Sequence, residues 1–197
     1  MVAAGDSQIT TQELDEIARL APHTTGVMVS ATEYCWSIFR QHIRGPRVLE
    51  LGPAEGVMTD LLVSEGFEVT CVEGSSVAAQ ELAARHPSIN VRHELFEDFK
   101  SSEVFDSIIL GHVLEHVSNP GQLLRSLAQN LRPNTGRILA SVPSANSLHR
   151  QAAVLMGLLQ AQDELNASDV AHGHVRVFTR EDFLGLFSGS GFEIIVQ

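Results

Sequence analysis

Apolar positions follow two different spacings along this chain. Before Pro46 they recur three and four apart, which predicts helices over residues 10–20 and 30–43. After Pro46, short apolar runs alternate with stretches of helical spacing. The runs RVLEL (47–51), FEVTCVE (67–73), INVRHEL (89–95), FDSIILG (105–111) and GRILASV (136–142) read as strands, and FEIIVQ (192–197) as a sixth. Between them, VMTDLLVSEG (57–66), SVAAQELAARH (76–86), PGQLLRSLAQNL (120–131) and REDFLGLFSGSG (180–191) read as helices. Pro87 stops the second of these and Pro120 opens the third. The run at 105–111 is apolar almost throughout, as a central parallel strand covered on both faces requires. Thr179 followed by Asp182 has the spacing of a helix cap.

Strands separated by helices predict βαβ units. The expected fold is α/β, a Rossmann-like, doubly wound, mostly parallel sheet with helices on both faces. A single domain is expected over residues 1–197. Its parts are an N-terminal helical cap (1–45), a ligand-binding core (46–142), a helical insertion after the fifth strand (143–178), and a last helix and strand (179–197). Ligands of such sheets bind beyond the carboxyl ends of the strands. The ends at 51–56, 73, 95 and 111 then meet at one crevice. The insertion begins at the same end, where a long connection is typically a lid or substrate wall. Its middle, SLHRQAAVLMGLLQ (147–160), reads as an apolar-rich helix that is either core or the surface of a homodimer.

Composition narrows the function classes. A chain of 197 residues that is 44% apolar is globular and not disordered. No run of ~18 apolar residues occurs, so no membrane span is expected. The N-terminus, MVAAGDSQITTQELDE, lacks the basic and apolar regions of a signal peptide. Cys35 and Cys71 form no C-x-x-C pair, which argues against a disulfide scaffold or a thiolate metal site. A cytoplasmic protein is the expectation. The net charge of −11, with one small basic cluster at FRQHIRGPR (39–47), weighs against nucleic acid as a partner. Internal repeats are absent.

The stretch VLELGPAEG (48–56) carries the chemistry. A strand that ends in a glycine turn before a helix commonly cradles a ligand. The dinucleotide fingerprint G-x-G-x-x-G is one reading, with a nicotinamide oxidoreductase as its function. Here Gly52 is followed by Pro53 and Ala54, and the next glycine is Gly56, so no bare backbone is offered to a pyrophosphate at position 54. Glu50 lies inside the strand, two residues before Gly52. A buried acid repels a phosphate and attracts a cation.

This stretch resembles motif I of the class I S-adenosylmethionine-dependent methyltransferases. Glu50, Gly52, Ala54 and Gly56 match, with Ala54 where a glycine is frequent. Glu73, followed by Gly74, ends the second strand at 73 − 52 = 21 residues beyond Gly52, near the ~20-residue spacing of a ribose-binding acid. The resemblance extends to RHELF (92–96), where Glu94 takes the adenine amino group and the backbone at Leu95 meets the ring. It extends also to FDSIILGHVLEHV (105–117), whose Gly111 and His112 flank the methionine part. LRPNTGRILASVP (131–143) resembles the entry to the fifth strand, and HVRVFTREDFLGLFSGSGFEI (174–194) the C-terminal signature of the small-molecule branch. The resemblance covers residues 45–197 and implies S-adenosylmethionine as cofactor, with Pro53 in the same turn. It also implies a seventh, antiparallel strand, which the residues up to Gln197 do not supply.

Histidines are the remaining candidates. His112 and His116 stand four apart, and Asp169, His172 and His174 lie close in sequence; either set suggests a metal. The better reading gives no metal: HVLEH shapes the crevice in the family, and the second group lines the substrate pocket. His174 is the candidate base or acceptor contact and His149 the second candidate. The implied reaction is in-line transfer of a sulfonium methyl to O or N of a small metabolite, a carboxylate included. The protein mainly holds two reactants in near-attack geometry. A non-catalytic module that binds the same cofactor is the further alternative.

Overall fold

The computed structural model describes residues 10–20 and 26–195. Five parallel strands form one sheet: β1 (Arg47–Leu51), β2 (Glu68–Glu73), β3 (Asn90–His93), β4 (Ser107–Gly111) and β5 (Arg137–Ser141). Their order is β3-β2-β1-β4-β5. The chain therefore builds outward from β1 on one side, then crosses back and builds outward on the other. The reversal lies between β1 and β4, and a crevice opens there at the carboxyl ends.

Both faces of the sheet are covered, which explains the unbroken apolar runs. Successive strand side chains point to opposite faces. Leu49, Leu51, Ile108 and Leu110 pack on one face with Phe105, Leu124 and Phe178. Val48, Ile109 and Cys71 pack on the other with Trp36, Leu62 and Leu82. The covering helices are α1 (Thr11–Leu20), α2 (Val27–Phe39), α3 (Val57–Ser64), α4 (Ser76–Arg85), α5 (Pro120–Leu127), α6 (Leu148–Leu155), α7 (Ala167–Ala171) and α8 (Arg180–Gly189). Short polar residues start several of them. Ser75, Asn119 and Thr179 accept hydrogen bonds from the backbone N–H of Ala78, Gln122 and Asp182.

Three elements differ from the sequence expectation. Phe192–Ile195 join no ladder among the described residues, and 196–197 lie outside them. A strand needs a hydrogen-bonding neighbour; what holds this stretch is side-chain packing, with Phe192 ending the aromatic row Phe178, Phe183, Phe187 at centroid spacings of 5.2–6.1 Å. The third strand is shorter than 89–95 and sits at an edge. The helix expected over 147–160 is shorter: α6 stops before Gly157, whose φ of +70° ends a helix readily. No helix among the described residues is long and apolar enough to cross a membrane.

Candidate functional site

The turn after β1 is held open by backbone conformations that most residues avoid. Gly52 has φ +64° and Gly56 φ +78°. A Cβ on Gly52 would come within 3.1 Å of Val113 and 3.2 Å of Phe96. Ala54, between them, also lies at positive φ, +49°, a strain of the order of 1 kcal/mol or more that persists only where neighbours enforce it. The neighbour here is Glu73, whose Oε2 accepts the Ala54 N–H at 3.0 Å. Its Oε1 accepts the Ser75 N–H at 2.8 Å. Glu73 thus ties the β1 turn to the end of β2, and each oxygen keeps lone-pair capacity for a ligand.

Two buried acids stand side by side at these strand ends. Glu50 is 3% exposed and accepts a hydrogen bond from Thr59 Oγ1 of α3 at 2.7 Å. Burial pushes its carboxyl up to about 7, against the pull of the Thr59 and Cys71 side chains. Glu73 is 6% exposed, and burial raises its carboxyl too, opposed by the N–H groups of Ser75 and Ala54. Both line a cavity of about 630 Å³ at the switch point.

Pro53, Ala54, Gly74, Leu95, Gly111 and His112 line the same cavity. Glu94 does not. Arg92, two residues back on the same face of β3, holds the Glu94 carboxylate at 2.5 Å. Phe96 and Glu97 of the following turn line the cavity in its place.

The β4 end brings an unexpected group of side chains. His112 sits at φ +57°. Its Nδ1 lies 3.3 Å from Glu115 Oε1, and the Glu115 side chain is 1% exposed. Neither Glu115 oxygen accepts a hydrogen bond from the described residues. Burial works to lower the His112 imidazole, but the neighbouring Cys35 and Glu115 side chains outweigh it and raise it to about 9. His116 packs edge-on against His174 at 4.8 Å between centroids.

The insertion after β5 contributes its second half. Pro143, Ser168, Asp169, His172 and His174 line the cavity. Asp169 caps α7 through a capping box with Asn166. It pairs with the buried Arg150 and lies 3.4 Å from His174 Nδ1. Burial lowers the His174 imidazole, against the pull of Glu115 and Asp169, so the ring is neutral near pH 7. His149 lies outside the cavity: it is exposed on α6, and the next residue, Arg150, is the one turned inward. A one-residue step rotates a helical side chain by ~100°, so His149 and Arg150 do not share a face. The donor atoms of Glu115, His116 and His174 gather within 4.8 Å of one another.

The N-terminal helices close the remaining side, which sequence reasoning named only as a cap. Leu14 of α1 and Thr32 and Cys35 of α2 line the cavity. Asp15 fastens α1 to the start of α4, accepting from Ser75 Oγ at 2.7 Å, Ser76 Oγ at 2.8 Å and Val77 N–H at 3.3 Å. No pattern in the sequence pairs Asp15 with residues 60 positions away. Among the described lining residues there is no Lys or Arg. The cavity is built for a cationic or neutral ligand, and a pyrophosphate would find no cationic side chain but His112. A cofactor with one sulfonium and one ammonium fits both the donor set and a volume within the ~300–1,000 Å³ of ligand sites.

Comparison with known proteins agrees with this geometry. A family model described as "Methyltransferase domain" matches residues 14–197. The mitochondrial ubiquinone biosynthesis O-methyltransferase of Schizosaccharomyces pombe is 29% identical over 165 residues, covering 79% of this chain and 58% of that protein. The ubiquinone biosynthesis O-methyltransferase of Rickettsia canadensis is 23% identical over 152 residues, covering 75% and 62%. The chain thus spans less than two thirds of these relatives' length. Among solved structures, the S-adenosylmethionine-dependent methyltransferase of Mesorhizobium loti superposes with a TM-score of 0.63 at 19% identity, covering 82% of each chain. A protein of Pyrococcus horikoshii OT3 superposes with a TM-score of 0.65 at 17% identity, covering 87% of each. With the family model spanning nearly the whole sequence and the sheet order and motif turn as described, this chain belongs to the class I S-adenosylmethionine-dependent methyltransferase family.

Proposed function

We propose that this protein transfers a methyl group from S-adenosylmethionine to a hydroxyl oxygen, or an amine nitrogen, of a small molecule. The observation that carries the reading is the pair of buried acids, Glu50 and Glu73, beside the Gly52–Gly56 turn in a cavity without Lys or Arg. Glu73 is the residue we assign to the ribose hydroxyls, Glu50 to the charged end of the ligand, and the backbone at Leu95 with Phe96 and Glu97 to the adenine. Gly111 and His112 take the methionine part. The cofactor supplies a methyl group already activated by the positive sulfur.

The chain's own task is to position the acceptor and take its proton. His174, neutral at pH 7 and backed by Asp169, is the base we assign to that proton. The same acidic lining disfavours a carboxylate acceptor and favours a neutral or basic one. The curated relatives are O-methyltransferases, which supports a hydroxyl. The half of the insertion that carries α7 forms the acceptor wall, while Leu148, Leu155, Met156 and Leu158 of its first half are exposed. We assign that apolar face to contact between two copies. The test is release of S-adenosylhomocysteine across a panel of hydroxyl, amine and carboxylate acceptors. Turnover confined to carboxylates would overturn the acceptor assignment, and thermal stabilisation by NAD but not by S-adenosylhomocysteine would overturn the function.

A further inference from the structure

The insertion after β5 is fastened to the chain beyond β4 by two hydrogen bonds. Val175 N–H donates to the Glu115 carbonyl at 2.9 Å, and His116 Nδ1 donates to the Gly173 carbonyl at 3.2 Å. Residues 173–175 thus lie against 115–116, and His174 stands edge-on to His116. In the sequence these histidines fall in separate groups, His112 with His116 and His172 with His174; the fold takes one from each and adds Glu115. The donor atoms of the three side chains lie within 4.8 Å of one another. Three features go beyond proximity. The Glu115 side chain is 1% exposed, and neither of its oxygens accepts a hydrogen bond from the described residues; His112 Nδ1 approaches Oε1 only to 3.3 Å. A buried carboxylate with open lone pairs is costly until a cation meets it. Each histidine turns Nδ1 to an outer acceptor: the Gly173 carbonyl for His116, and Asp169 Oδ1 at 3.4 Å for His174. Asp169 is in turn held by Arg150. A metal-binding imidazole is oriented in this way, with its second nitrogen left for the ion. All three residues line the cavity, so positions on an ion bound there would open toward it.

We propose that Glu115, His116 and His174 form a site for a divalent transition-metal ion of the Zn²⁺ kind on the cavity wall, and that an ion bound there silences His174 as a base. The second half rests on the proton-accepting role proposed above for His174; the site does not. Two imidazoles and one carboxylate suit Zn²⁺ and its neighbours, whereas Mg²⁺ and Ca²⁺ take oxygen. No cysteine belongs to the set. Bonds of ~2.0–2.2 Å need the donors drawn inward, which rotation of the two half-buried rings supplies. With Nε2 on the ion and the Nδ1–H turned to Asp169, the His174 ring has no lone pair left for a proton. Ion and acceptor proton therefore compete for one nitrogen. The site departs from the sequence expectation of no metal, and its ion is an inhibitor and not a cofactor of the methyl transfer.

The test uses the whole chain, stripped with a chelator, and takes Zn²⁺ and Co²⁺ as probes, so its first arms do not depend on methyltransferase turnover. Calorimetry should show one equivalent of Zn²⁺ bound. Co²⁺ should give visible ligand-field absorption without a thiolate charge-transfer band, and Zn²⁺ should displace it. Glu115→Gln, His116→Gln and His174→Gln should each weaken Zn²⁺ at least ~10-fold in variants that still melt cooperatively. His149→Gln, exposed on α6, should leave the affinity unchanged. In protein labelled with ¹⁵N-histidine, the ring resonance that disappears in His174→Gln should shift when Zn²⁺ is added. With an acceptor that the wild type methylates, saturating Zn²⁺ should abolish turnover and a chelator should restore it, and His116→Gln should need at least ~10-fold more Zn²⁺ for the same inhibition. Absence of Zn²⁺ binding, a thiolate band with Co²⁺, or an affinity that any of the three substitutions leaves unchanged in a folded variant overturns the site. An unmoved His174 resonance, or turnover that Zn²⁺ leaves or raises, overturns the silencing. A chain that methylates no acceptor overturns the function proposed above, while the binding and resonance arms still decide the site.

Discussion

Glu50 ties stability to pH in a way that one substitution can isolate. Its carboxyl is displaced by burial from the usual 4.5 to about 7. In the unfolded chain it loses its proton near 4.5; in the fold it keeps it to about 7. The stabilisation of the neutral acid is therefore complete below pH 4.5 and is lost as the pH rises through 7. The difference corresponds to about 3 kcal/mol between pH 4.5 and pH 8. For a domain of this size that is on the order of 10 °C in Tm. Glu50→Gln keeps an acceptor for Thr59 Oγ1 and has no proton to lose. The stability difference, variant minus wild type, should rise by about 3 kcal/mol between pH 4.5 and pH 8 in urea titrations. Glu73 is present in both proteins and cancels apart from its repulsion with ionised Glu50. Cofactor binding should move the other way. A cationic ligand favours the ionised form, so wild-type S-adenosylmethionine affinity should tighten from pH 6 to pH 8, and the variant should bind weakly without that trend. A stability difference that stays flat across the range would refute the reasoning.

Glu73→Ala strands the N–H groups of Ala54 and Ser75 as well as the ribose hydroxyls, at about 1–3 kcal/mol each; calorimetry should show S-adenosylhomocysteine weakened tenfold or more, and thermal melting a lowered Tm. His174→Ala should cut turnover by ~10²–10⁴-fold with little change in S-adenosylmethionine affinity, and wild-type turnover should fall as the pH drops below 6.5, because the protonated ring accepts nothing; equal activity at pH 5.5 and 7.5 would remove His174 as the base. Leu155→Glu should shift sedimentation from dimer to monomer, and a wild-type monomer at all concentrations would dismiss the α6 contact.

The sheet was legible because its signal is local. Strand–helix alternation and the continuous apolar run at 105–111 follow from the burial of both faces, and the motif turn from glycines at fixed spacing. The sixth strand failed because FEIIVQ has strand composition, but a strand exists only where a neighbour offers its backbone. Glu94 misses the cavity for a similar reason: spacing puts an acid at the end of β3, but the ion pair with Arg92 decides which way Glu94 turns. The wall contributed by α1 and α2 was hidden because Leu14, Thr32 and Cys35 meet the turn only through the tertiary fold. Glu115 had a visible signal, an acid directly after the apolar pair Val113 and Leu114 and flanked by two histidines, which fits a buried partner better than a solvated one.

The fastening of α1 has a consequence for how such a domain changes over time. Neither core cluster contains a described residue of α1. The helix is joined to the body by Asp15 on Ser75, Ser76 and Val77, and by Leu14 against Gly74. Substitutions at Leu14 therefore reshape one side of the cavity while leaving the two core clusters that hold the sheet together. Ligand preference and foldedness are inherited here from different residues. A lineage can drift in the first without risking the second, and Asp15 and Gly74 are the positions where that freedom stops.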